Sequence, residues 1–71
     1  MEFPHELKEL FPNEIIEVRG NADALTVILK HEVDVNAFTK ILEKKFTDLD
    51  DTYILFLRKE DEHDFIELVL K

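Results

Sequence analysis

Asp34-Val35-Asn36-Ala37-Phe38-Thr39-Lys40-Ile41-Leu42-Glu43-Lys44-Lys45-Phe46 is the one long run of this chain with a helical period. Val35, Phe38, Ile41, Leu42 and Phe46 recur at three- and four-residue steps and fall on one stripe, while Asn36, Thr39, Lys40, Glu43 and Lys44 fall on the other side. Asp34 is placed to cap the first turn, and Lys44 and Lys45 sit where cations favour the negative end of the helix dipole. A helix this short is marginal alone in water, so it needs a surface to lie on.

The flanking segments supply that surface as two strand pairs. Glu14 to Arg19 and Ala24 to Lys30 are rich in β-branched residues and alternate, with Ile16 and Val18 on one face of the first and Leu25, Val27 and Leu29 on one face of the second. Gly20, the only glycine, stands beside Asn21 and Asp23 and marks a hairpin turn; one glycine is too few for a phosphate-cradling loop. Thr52 to Lys59 and Asp64 to Lys71 read as a second pair around Glu60-Asp61-Glu62-His63. Ile54 and Phe56 with Ile66, Leu68 and Leu70 are expected on one face, and Tyr53, Leu55 and Leu57 with Phe65 and Val69 on the other. Both faces of this pair are apolar, as in strands covered on two sides.

Ahead of these, Phe3, Leu7, Leu10 and Phe11 repeat at helical spacing, with Pro4 suited to a first turn and Pro12 to a stop, so a short helix is expected from about Pro4 to Phe11. The expected fold is α+β: an αββαββ two-layer sandwich, a four-stranded mixed sheet with the long helix on one face and a short N-terminal helix. A crossover through Asp34–Phe46 makes the second and third strands parallel. Two strand orders fit, sequential 1-2-3-4 or 2-1-4-3. The second sheet face then needs the N-terminal helix, a second copy or another protein to cover it.

Length and charge narrow the functions. Seventy-one residues read as a single small domain, 1–71, which buries only roughly 60% of its unfolded surface. Any further burial, such as dimerisation, would matter. There is no cysteine for a disulfide or thiolate metal site, no apolar run long enough to span a bilayer, and no basic-then-apolar start of a signal peptide, so a cytoplasmic protein is expected. Seventeen acidic residues against nine basic ones give a net charge of −8, which repels phosphate backbones and anionic membranes; neither direct nucleic-acid binding nor membrane binding is expected. Lys40, Lys44 and Lys45 form a basic strip without aromatic neighbours and read as a solvated helix face.

Sites for chemistry are few. The topology brings His31, Glu32 and Asp34 to the same end of the sheet as Asp61, Glu62, His63 and Asp64, a nitrogen and oxygen set that suits a divalent cation. His31, Asp61 and His63 are the candidate ligands. Asp34 is already explained as a cap and hairpin loops are commonly polar, so no metal and no cofactor is assigned. Asp48, Asp50 and Asp51 lie at the opposite end and lack the spacing and glycine of a calcium loop. With no Ser, no Cys and no nucleophile–base–orienter set, catalysis is not expected.

The leading expectation is a non-catalytic interaction or regulatory module, a homodimer or a binder of another protein, using Tyr53, Leu55, Leu57, Phe65 and Val69 as its interface. On that reading Leu55→Lys or Leu57→Lys dissociates the dimer and spares the secondary structure. A second class is an acidic decoy that presents carboxylates in place of nucleic-acid phosphates, which requires acids in rows. Leu7 to Phe11, the Glu17–Gly20 turn, the Leu25–Leu29 strand, the helix ending Lys45-Phe46, and Leu49-Asp50-Asp51 before a strand also resemble, in element order, the start of the 30-kDa subunit of respiratory complex I and its hydrogenase relatives. The resemblance includes no diagnostic motif. It implies a non-catalytic small subunit of a larger redox assembly.

Overall fold

The computed structural model describes residues 5–21 and 23–71. In chain order it has α1 (His5–Leu10), β1 (Ile15–Asn21), β2 (Ala24–Leu29), α2 (Val35–Lys45), β3 (Tyr53–Lys59) and β4 (Ile66–Leu70). This is the expected α+β architecture, and of the two strand orders the sequential one is present, β1-β2-β3-β4. Both hairpins are antiparallel, and β2 and β3 run parallel at the centre, joined through α2. Pro4, the expected start of the first helix, and Phe3 of its apolar repeat lie outside the described residues. Among the described residues no helix is long and apolar enough to cross a membrane.

Asp34 caps α2 as its position suggests, its carboxylate accepting from the Ala37 amide at 3.2 Å, and the Phe46 amide closes the helix on the Leu42 carbonyl at 2.9 Å. The buried stripe is rotated from the one expected. Phe38, Thr39 and Leu42 are buried, whereas Ile41 is 48% exposed. Thr39 takes that place because its hydroxyl donates to the Asn36 carbonyl at 2.7 Å, so its only polar group is satisfied within the helix and its methyl can face inward.

The core lies between α2 and one side of the sheet. Leu25, Val27 and Leu29 of β2, Leu55 and Leu57 of β3, and Leu68 and Leu70 of β4 form one cluster with Phe38, Leu42 and Phe46. Full burial of each such side chain contributes about 1.5–3 kcal/mol, which is how a chain this short sustains a fold. α1 belongs to the same side. Leu7 is fully buried in this cluster, and Phe11 packs edge to face on Phe38 with ring centroids 5.0 Å apart.

β1 departs from simple alternation. A bulge between Ile15 and Glu17 resets the register, so Ile15 opposite Leu29 and Val18 opposite Val27 both face the core. Ile15, not Ile16, is the partner of Val18. Gly20 has φ +125°, and a Cβ there would stand 2.3 Å from the Ala24 carbonyl oxygen, so only glycine fits where the hairpin folds back. Three backbone bonds fasten the ends of the sheet: Lys30 amide to Glu14 carbonyl at 3.0 Å, Ile54 amide to Asp23 carbonyl at 2.7 Å, and Glu60 amide to Leu29 carbonyl at 2.9 Å.

Candidate functional site

The pairing of β3 with β4 decides which residues stay at the surface. Tyr53 faces Leu70, Leu55 faces Leu68 and Leu57 faces Ile66, so all six share the core side. Ile54 faces Val69 and Phe56 faces Glu67 on the opposite side. The two faces read from the sequence are therefore divided differently. Leu55 and Leu57 are completely buried in the core cluster with α2, Tyr53 is half-buried against that cluster, and Phe65 and Val69 are exposed by 52% and 46%. Of the five expected interface residues, only Phe65 and Val69 stand on the open side, where Ile54 and Phe56 join them.

The physical reason is charge. A one-residue slip between two strands exchanges every facing pair. In the register expected from the sequence each face of this hairpin would carry charge, Arg58 on one and Lys59 with Glu67 on the other. The observed register gathers Arg58 and Glu67 on the outer side and leaves only Lys59, half-buried at the end of β3 opposite Leu29, on the helix-covered side, which keeps charge out of the middle of the core. The positions of Arg58 and Glu67 were the available signal for Ile54 and Phe56.

Three rows of side chains cross the outer face. One runs Ala24, Ile54, Val69; the next runs Arg19, Thr26, Phe56, Glu67; the third runs Glu17, Ile28, Arg58. Phe65 packs edge to face on Phe56, ring centroids 6.2 Å apart, and extends the apolar centre beyond the start of β4. Ile28 is only 6% exposed although none of the described helices lies over it, since it sits in register between the long side chains of Glu17 and Arg58. The Arg58 guanidinium donates to the carbonyls of Lys59 and Glu62, each at 3.0 Å, and so ties the face to the loop between β3 and β4. At the other edge Arg19 pairs with Glu17, donating from Nε to Oε2 and from Nη2 to Oε1 at 3.4 Å. That hydrogen bond is the largest influence and outweighs desolvation, which acts the other way; with the Arg19 charge and then the Lys8 charge it holds the Glu17 carboxyl below its ordinary value, and the same pairing raises Arg19. The charged residues at outward strand positions are Glu17, Arg19, Arg58 and Glu67, so this face is electrically neutral on a chain of charge −8.

The rim that held the metal candidates is arranged differently from expectation. His31 Nδ1 lies 3.3 Å from Glu32 and 3.8 Å from Glu60, and the His31 amide donates to Glu60 at 3.3 Å. Asp61 and His63 do not join it: among the described residues no group of three or more His, Cys, Asp or Glu is placed to hold a metal ion. A depression beside the rim is lined by Glu32, Asp34, Lys59, Glu62 and Asp64, and another between α1 and β1 by Lys8, Glu9, Val18, Arg19 and Leu25. Neither contains a nucleophile with a base beside it. In comparisons with protein families, curated proteins and solved structures, nothing matches this chain, and the resemblance to the complex I subunit gains no support there.

Proposed function

We propose that this chain is a non-catalytic protein-interaction module that works through the outer face of its sheet. The observation that carries the reading is the patch formed by Ile54, Phe56, Phe65 and Val69, over which none of the described helices lies. Contiguous apolar surface of this kind marks contact sites, and its neutral charged rim suits a protein partner better than a phosphate backbone. Most acids of the chain stand elsewhere, in the 48–51 connection, the 60–64 loop and around the start of α2, where they keep the molecule soluble and repel anions. Acids gathered in loops do not form the rows that a nucleic-acid decoy needs. A place as a small subunit of a larger assembly is the same reading with a larger partner.

A photoreactive side chain placed at Val69 in cells is expected to give discrete protein adducts, while the same group at Glu43, on the solvent side of α2, gives none of them. No adduct at position 69, or identical adducts at both positions, overturns the reading.

A further inference from the structure

We infer that the occupant of the outer face is a second copy of this chain, stacked sheet on sheet with the two-fold axis close to the strand direction. The inference rests on the interaction-face reading above and identifies its partner. A rotation about such an axis lays β1 on the partner's β4 and β2 on the partner's β3, keeping each row of side chains on its own equivalent. In the central row Arg19 then meets the second copy's Glu67, and Glu67 meets its Arg19. Small side chains meet large ones in the same operation: Thr26 lies against the other copy's Phe56, and Ala24 against its Ile54. Both contacts occur twice, as an isologous interface requires.

A two-fold axis across the strands has the opposite result. It lays each strand on its own copy and sets Arg19 against Arg19 and Phe56 against Phe56 in the central row, which opposes like charges and crowds large side chains. Sheets pack about 10 Å apart, a gap that an arginine and a glutamate span together. Because the face carries two acids and two bases, two molecules of charge −8 can approach through it without opposing their excess charge. Four strands about 4.8 Å apart and rows about 3.3 Å per residue give a footprint of roughly 300–400 Å² per copy. That is below the ~800 Å² per partner of standard stable complexes, so the dimer is weak and forms with concentration.

Sedimentation equilibrium of the full chain from micromolar to millimolar concentration tests this. The wild type is expected to pass from monomer to dimer. Arg19→Glu and Glu67→Arg are each expected to weaken association at least about tenfold, because each opposes like charges twice. An equimolar mixture of the two variants regains it as a heterodimer, since every contact again joins opposite charges, and the Arg19→Glu/Glu67→Arg double variant regains it alone. Both sites are exposed, and far-ultraviolet circular dichroism checks that each variant is folded. A dimer indifferent to the single swaps, or swaps that the mixture does not rescue, overturns this arrangement. A wild type that stays monomeric throughout overturns the second copy as occupant. In that case adducts at Val69 with a different protein leave the interaction face standing, and their absence removes both.

Discussion

Phe56 and Phe65 meet edge to face on the side of the sheet opposite α2, one from the middle of β3 and the other from just before β4. The contact places an aromatic pair, worth about 0.5–1.5 kcal/mol beyond its buried area, where the described helices give it no cover. One residue along, Leu55 and Leu57 are sealed in the core. Neighbouring positions of a single strand therefore stand in different surroundings, Leu55 and Leu57 in the core and Phe56 on the outer face.

Substitutions in β3 should separate the two. Leu55→Ala or Leu57→Ala is expected to cost about 2–5 kcal/mol in chemical unfolding, because each leaves a cavity in a packed cluster. For a chain of this size that is a large part of its total stability. Leu55→Lys then unfolds the protein instead of freeing an intact monomer, which replaces the expectation drawn from the sequence. Phe56→Ala, half-buried on the outer face, is expected to cost clearly less than either. Equal losses at positions 55 and 56 would contradict the assigned faces.

Gly20→Ala tests the first hairpin. The positive φ and the closeness of the Ala24 carbonyl both act against a Cβ, so a loss of about 1–3 kcal/mol is expected. Asn21→Ala, at the neighbouring position of the same turn, serves as the control for side-chain size. A Gly20→Ala protein that melts with the wild type would show that the turn relaxes at no cost.

Legibility differed between the two halves of the chain. α2 was readable because its period, its cap and its terminal lysines agree, and the parallel centre of the sheet followed from its crossover. The bulge at Ile16 was hidden, since Ile15 and Ile16 are chemically alike and only the pairing with Leu29 tells them apart. In the second hairpin the run Tyr53 to Leu57 is apolar at every position, so alternation carried no information about facing. The interface expected from the sequence therefore includes Tyr53, Leu55 and Leu57, which lie on the core side. The outer face is recoverable only by asking which register keeps Arg58 and Glu67 together and away from the core.

Asp34→Ala removes the acceptor for the Ala37 amide and is expected to cost about 0.5–2 kcal/mol, with loss of helical signal on heating. Asp34→Asn keeps a capping oxygen and should stay near the wild type. Asp34 also lines the depression at the metal-candidate rim, so calorimetric titration with zinc before and after the substitution separates the two roles. Heat that depends on Asp34 would assign it a ligand role as well; a stability change alone leaves it a cap.

The pairing of Glu17 with Arg19 predicts a pH dependence of definite sign. The hydrogen bond and charge of Arg19 stabilise the ionised Glu17 carboxylate in the folded chain, so its folded pKa lies below the ordinary value of 4.5. The unfolded chain therefore takes up the proton first as pH falls. The contribution to stability is fully present above the ordinary carboxylate range and is lost as pH drops through the lower folded value. Thermal unfolding of the wild type and Glu17→Gln across pH should show a small gap near neutrality that closes below about pH 4.5 and shrinks with added salt, because the pair is exposed and screened. In the dimer inferred above this pair stands inside the interface, Glu17 beside the second copy's Phe65, so the gap is expected to change with protein concentration; a gap independent of concentration would place the pair outside the interface. A difference that grows toward acid pH would reverse the sign and remove the hydrogen bond as its cause.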